Sequence, residues 1–492
     1  MDLVRPDWHI GHVLRGLGGC PAERPQSGGN PLNRPHVSLS RELGPWSAAA
    51  IVVGTVIGSG IFIVPNFMTQ KVGSPEMVFL VWIAGGLLSL AGALSYAELG
   101  AAMPGAGGEY VYLRAAYGPL WSFVYAWTQL AVAKSASIAT LATAFVLYLG
   151  HFVPQLKNVI AVIPLPIGRD GAPLEINLGQ VVAMASILIL AGVNYLGVKV
   201  GGRVQVVVTA LKIGLILGLI VFGLSSDRGS WENFQQAAPA AGGILAFFAA
   251  LRAALWAYDG WNNVTMVASE VKNPQRNLPR SLIGGTLTVM GVYLVANAAY
   301  FYVLPAPEVA ASELVAADMM RKAGGDVGAA LVSLAAMISI LAALNGSILS
   351  GSRVPYAMAD DGYFFSALAQ VHPRFHTPGV SILVLSLWSA VLVLSGGYDQ
   401  LFTCVIFASW ILYGMTTASV LVLRRRQPHL DRPYRTLGYP VVPILFVLIA
   451  LGLVVSTVID SPRESLIGVL LIAIGLPFYS YWSRRKRHLR PN

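Results

Sequence analysis

Apolar stretches of about 20 residues, the length needed to cross roughly 30 Å of hydrocarbon, recur along nearly the whole chain. They predict membrane-spanning helices near 46–67, 77–102, 119–150, 177–197, 203–224, 244–269, 281–304, 328–350, 379–397, 400–423, 439–458 and 465–482. The pattern is that of an all-α integral membrane protein with twelve spans. Connectors are short, so nothing separates two independently folded units. The longer ones, 151–176 and 305–327, carry Pro, Gly and mixed charge and are expected to form surface loops or short lid helices. The expected organisation is a disordered tail over 1–41, a core of ten helices over 42–424, two further helices over 425–483 and a basic tail over 484–492.

Two spans are interrupted, the first at Gly58-Ser59-Gly60 and the sixth at Asp259-Gly260, and the sixth opens the second set of five. Inverted-repeat transporters carry breaks in matching positions of their two halves. Unwound backbone at mid-membrane exposes N–H and C=O groups that hydrocarbon cannot satisfy, so it is tolerated where it lines a cavity. A zwitterionic ligand can satisfy both kinds of group. N–H groups at a half-helix N-terminus attract a carboxylate, and freed carbonyls accept from an ammonium group. Glycine also serves as a close-packing residue between membrane helices, which leaves Gly58 and Gly60 with a second reading.

Composition and charge narrow the class. Of 492 residues, 55% are hydrophobic and 11% charged, too few for the surface of a soluble domain. The net charge of +10 is not gathered into a nucleic-acid-binding patch. On the twelve-span topology 23 of the 33 Lys and Arg fall on one side and 7 on the other, while Lys134, Lys212 and Arg252 lie within helices. This bias predicts cytoplasmic N- and C-termini in a cell (inner) membrane. Residues 1–40 lack the apolar segment of a cleavable signal sequence. Cys20, in the tail, and Cys404, in a helix, are not expected to pair. The eight His are scattered without metal-ligand spacing, so no metal, no cofactor and no catalytic cluster of a polytopic membrane enzyme is expected. A receptor or channel would leave the two matching breaks unexplained.

Several separated motifs then carry a resemblance. GTVIGSGIF (54–62), SYAELGAAMPGAGGEYVYLRAAYGPLWSF (95–123), GGRVQVVVTALK (201–212), WAYDGWNNVTMVASEVKNPQRNLP (256–279) and SGSRVPYAMADDGYF (350–364) resemble the amino acid–polyamine–organocation superfamily, in its L-type amino-acid transporter branch, bacterial type. The similarity runs from about residue 42 to about 440. It implies a LeuT-type five-plus-five inverted repeat with two extra C-terminal helices, and sodium-independent transport of L-amino acids by alternating access, in exchange or uptake. A proton-coupled permease, or an antiporter of cationic amino acids or polyamines, is the alternative within transport.

The resemblance also implies roles. The amides of Ser59 and Gly60, beside Gly58, would bind a substrate carboxylate, and the carbonyls of Val56, Trp256, Ala257 and Asp259, before Gly260, its ammonium. Trp256 stands at the family's gating aromatic. Asp259 departs from members that have Gly there, and is similar to a Trp-Ala-Tyr-Asp-Gly-Trp run in an exchanger of cystine and dibasic amino acids. It would meet a cationic side chain, or pair internally with Arg252 or trapped water. Lys212 would stand in for the sodium ion of sodium-dependent relatives, contacting the first break near Gly58 and a hydroxyl such as Ser339 or Ser333. It would be either structural or a proton exchanger. Lys134 would snorkel or pair with an acid in the inner half, and Arg252 would face the outer vestibule. Glu98, Glu109, Arg114, Glu270, Arg276, Arg353 and Asp360 or Asp361 would form ion pairs of an inner gate. Animal members join a heavy chain through a cysteine between the third and fourth helices. Residues 151–176 contain none, so no disulfide-linked heavy chain is expected and the chain would work alone in its lipid bilayer, with an amino acid as its partner.

Overall fold

The computed structural model describes residues 39–164, 174–395, 398–460 and 462–488. The expectations for the N-terminal tail through residue 38, for Cys20 and for the Cys404 side chain lie outside the described residues. The basic tail is described only as far as His488.

The first apolar stretch forms two half-helices, α1 (Pro45–Val56) and α2 (Gly60–Val72). Proline opens α1, α3 (Pro75–Ala102) and α5 (Pro119–Thr128), where the N–H it lacks would have had no intrahelical partner. Between them α4 (Glu109–Tyr117) is a short connecting helix. The third stretch continues from α5 through a π turn at Gln129–Ala133 into α6 (Lys134–Leu149). Asn177 and Gln180 form a reciprocal capping box that starts α7 (Leu178–Tyr195), and α8 (Val198–Leu224) follows.

The second half begins with α9 (Gly243–Ala257) and the short α10 (Asn263–Met266). The predicted sixth span over 244–269 is thus continuously helical only to Ala257, with the short α10 set in irregular backbone beyond. It leads to α11 (Pro274–Val303), α12 (Ala306–Ala311), α13 (Val315–Gly351, bent at Gly325) and α14 (Arg353–Asp360). The last helices are α15 (Gly379–Ser395), α16 (Tyr398–Arg426), α17 (Val441–Asp460) and α18 (Pro462–His488).

Among the described residues nine helical segments are long and apolar enough to cross a membrane, with two shorter apolar helices at Gly243–Ala257 and Gly379–Leu394. Burial orders them. In Pro45–Val72, 83% of the apolar window is buried against protein, so α1 and α2 sit at the centre. In Ser465–Lys486 the figure is 22%, so α18 presents its apolar surface outward. Around the centre α11 packs along α3, α13 packs on α6 and α8, and α2 lies against α9.

One expectation is corrected. In the described part of 151–176 a short 3-10 helix at Pro154–Lys157 is followed not by plain loop but by β1 (Val159–Ile163), which pairs antiparallel with β2 (Leu174–Asn177), so the fold is not purely helical. The run Val-Ile-Ala-Val-Ile is rich in β-branched residues, which favour extended backbone.

Candidate functional site

The two interruptions face one another. Between α1 and α2, Ile57 leaves helical geometry (φ −72°, ψ 88°). After α9 the chain turns at Gly260 with φ 105°, a conformation that glycine adopts without the Cβ clash. Thr55 Oγ1 lies 3.0 Å from the Gly260 carbonyl and 2.6 Å from that of Ile51, so its single proton can go to its own helix or to the other break. A methyl group on Gly60 would stand 2.5 Å from Ala257 Cβ and 2.6 Å from its Cα, so close packing requires glycine there. At Gly58 the nearest atoms would be 3.4 Å away, an ordinary contact, so packing does not require glycine at that position.

A pocket of about 330 Å³ of empty space, part of it open to solvent, lies between the breaks, with Ser59, Gly60, Trp256, Asp259, Asn263 and Ser347 in its lining. Its polarity runs in one direction. On the α2 side the Ser59 hydroxyl is buried without a hydrogen-bond partner, and the leading N–H groups of a helix lack intrahelical carbonyls, that of Phe62 reaching the Ser59 carbonyl at 3.2 Å. The positive end of the helix dipole therefore meets a donor hydroxyl, which suits an anion. On the other side the carbonyls of Val56 and Ala257 converge on one hydroxyl, that of Tyr293 on α11, at 2.9 and 2.7 Å. A phenol carries one proton, so it can satisfy one of these carbonyls at a time. The Trp256 carbonyl, expected to be free, accepts from the Asp259 amide at 3.0 Å. Tyr293 is the main addition to the site, and nothing in the sequence marks it, because it lies mid-way along an unbroken helix.

Asp259 Oδ1 accepts from the Tyr413 hydroxyl of α16 at 2.7 Å. Arg252 Nη1 donates to Ser456 Oγ on α17 at 3.4 Å. Lys134 does not snorkel. Delivered inward by the π turn, it is buried and donates to Asn263 Oδ1 at 2.7 Å. Trp256 is 6% exposed and forms part of the pocket wall.

Lys212 is fully buried, with Nζ 2.7 Å from the Gly54 carbonyl, 2.5 Å from that of Ile57 and 3.1 Å from that of Ser339. Its partner on α13 is the Ser339 carbonyl rather than the hydroxyl, which donates to Ile57 O at 3.1 Å, while Ser333 bonds its own helix at Ala329. Three carbonyls arranged around one ammonium group join α1, α8 and α13.

Among the described residues, three ion-pair groups contain side chains expected at the inner gate. Arg353 Nε and Nη2 bind both oxygens of Glu270 at 2.7 and 3.0 Å, with both side chains fully buried. Glu98 is paired with Arg424 at 2.7 Å and lies 3.3 Å from Arg432. Asp361 binds Arg114 at 2.8 Å, Lys486 at 3.0 Å and Tyr110 at 2.9 Å. Burial raises the Asp361 carboxyl, but the hydrogen bonds from these three groups outweigh it and hold the pKa below the usual carboxylate value. Glu109 is not part of an ion pair at a helix end: it accepts from Tyr125 at 2.8 Å and from Asn262. Arg276 is exposed rather than in the cluster. Arg424, Arg432 and Lys486 come from distant sequence, and their Arg- and Lys-rich runs read as solvated loop or tail.

Paired helix breaks around a pocket with an anion-seeking and a cation-seeking side, inside a bundle of apolar helices, define a multi-pass membrane carrier of small solutes. The amino acid permease family profile matches residues 43–478, and the chain belongs to that family; it is an amino acid transporter. It is similar to the serine/threonine exchanger SteT of Bacillus subtilis, 33% identical over 91% of this chain and 98% of that protein. It is also similar to the human b(0,+)-type amino acid transporter 1, 33% identical over 90% and 88% of the two chains. The human cystine/glutamate transporter is 30% identical over 94% and 89%.

Proposed function

We propose that the protein exchanges L-amino acids across the cell membrane by alternating access, independently of sodium, accepting neutral and also cationic substrates. The observation that carries this reading is the polarity of the pocket. The α2 N-terminus and the unpartnered Ser59 hydroxyl receive the substrate carboxylate, and the carbonyls at Val56 and Ala257 share the Tyr293 proton and its ammonium group. Because these groups belong to every α-amino acid, side-chain choice falls to Trp256, which covers the substrate, and to Asp259. Exchange is favoured by the similarity to a relative named a serine/threonine exchanger.

The spans belong to twelve helices in a five-plus-five inverted repeat with two added at the end, α1–α2 and α9–α10 being the paired broken members. Both termini face the cytoplasm, and the buried Glu270–Arg353 pair closes the cytoplasmic side until it opens. Lys212 supplies a fixed positive charge to the α1 and α13 carbonyls, the service a sodium ion renders in related carriers, so no sodium is needed. The chain works alone, without a disulfide-linked heavy chain.

The test of specificity is counterflow of labelled arginine and leucine in proteoliposomes carrying Asp259→Gly. Arginine entry is expected to fall much further than leucine entry, and an equal change in both would remove the role of Asp259 in cation recognition.

A further inference from the structure

Beside the pocket the buried charges do not balance. Glu109 is fully buried and Lys134 is 4% exposed, while Asp259 is half-buried and lines the pocket. Lys134 faces both carboxylates, so one ammonium group stands against two carboxylates. From the surrounding elements Tyr96 on α3, Tyr112 on α4, Tyr125 on α5 and Tyr413 on α16 face the cluster, all of them hydroxyls without charge. Lys212 belongs elsewhere, enclosed by its three carbonyls.

While the pocket is open, water can solvate Asp259. A neutral amino acid entering the pocket displaces that water and leaves a surplus negative charge in a medium that disfavours it strongly. We infer that Glu109, Lys134 and Asp259 form a proton-binding site, and that one proton joins a carboxylate oxygen of this cluster when a neutral amino acid occupies the pocket. The inference rests on the transport reading above. A cationic side chain beside Asp259 restores the balance without a proton, so a loaded carrier has the same net charge with either substrate class.

The surroundings suit both protonation states. Asn262 donates its amide nitrogen to Glu109 Oε1, and its own Oδ1 is buried without a partner. Turning the amide by half a revolution presents that oxygen to a carboxylic acid, so one side chain serves the ionised and the neutral form. The Tyr125 hydroxyl, 2.8 Å from Oε2, likewise donates to the one or accepts from the other. Lys134 is fixed by Asn263, itself on the pocket wall, which keeps the positive charge in place as the proton comes and goes.

The experiment uses the purified full chain in lightly buffered detergent solution with a pH-indicator dye, alongside scintillation-proximity binding of labelled L-alanine, L-leucine and L-arginine. Close to one proton should be taken up per alanine or leucine bound and few or none per arginine. In Glu109→Gln and Asp259→Asn, proton uptake per bound alanine should fall severalfold, whatever the affinity that remains. Saturating alanine binding without proton uptake, or uptake per alanine undiminished in both variants, would overturn the inference alone. Absence of binding by alanine and leucine alike would overturn it together with the transport reading.

Discussion

Thr55 Oγ1 stands 3.0 Å from the carbonyl of Gly260 and 2.6 Å from that of Ile51 on its own helix, so its one proton can serve either and the two broken helices come within hydrogen-bond reach at the pocket wall. The same contact limits the turn: a methyl group on Gly260 would stand 3.0 Å from Thr55 Oγ1, and at φ 105° it would be strained in any case.

Gly60 and Gly58 should separate on substitution. Gly60→Ala drives a methyl group into the Ala257 backbone and is expected to lower transport by at least about tenfold through misplacement of α2 against α9. Gly58→Ala meets only ordinary contacts and should stay within about twofold of the parent. Initial uptake rates normalised to protein in the vesicle check both.

Tyr293→Phe removes the one proton shared by the Val56 and Ala257 carbonyls. The bond is worth about 0.5–1.5 kcal/mol to the fold, so the unfolding temperature should drop slightly, and substrate KM should rise a few-fold as the two carbonyls lose their common anchor. An unchanged KM would mean that these carbonyls do not take part in holding the ammonium group.

Removing one partner of the Glu270–Arg353 pair leaves a buried charge alone, which costs about 3–5 kcal/mol. Arg353→Met should therefore lower the unfolding temperature in detergent, and adding Glu270→Gln to it should recover part of the loss. Equal stability of the single and double variants would show that the pair is not coupled.

Asp361 carries a pH signature. Its folded-state pKa is lowered by Lys486, Tyr110 and Arg114 against the effect of burial, so the unfolded chain takes up the proton first on acidification. The stabilisation is complete above the ordinary carboxylate value of about 4 and is lost as pH falls below it through the lowered folded value. Asp361→Asn should lower the unfolding temperature at pH 7, and the gap to the parent should begin to narrow as pH falls below about 4.

Apolar periodicity made the helices legible because a span must satisfy its backbone internally, and Gly58-Ser59-Gly60 and Asp259-Gly260 were legible because glycine interrupts that pattern. What remained hidden were partners supplied by ordinary residues at large separation. Tyr293 lies 237 positions from Val56, and Tyr413 lies 154 from Asp259. Neither breaks a pattern. The π turn that swings Lys134 toward Asn263 leaves no trace in composition, so its burial could not be read. The β1 strand was readable from Val159 to Ile163 by its β-branched run, though the surrounding Pro, Gly and charge favour a loop.

The central claim, sodium-independent exchange of amino acids through this pocket, is tested by counterflow. Proteoliposomes are loaded with unlabelled alanine, leucine, arginine or cystine in turn, and entry of the labelled amino acids is followed with and without sodium. Entry that requires an amino acid inside, is equal in the two media and falls at least about tenfold in Lys212→Met, where three carbonyls lose the ammonium group and only that of Ile57 keeps a hydroxyl donor, is the predicted result. Entry that needs sodium, or that proceeds equally well into empty vesicles, would contradict it.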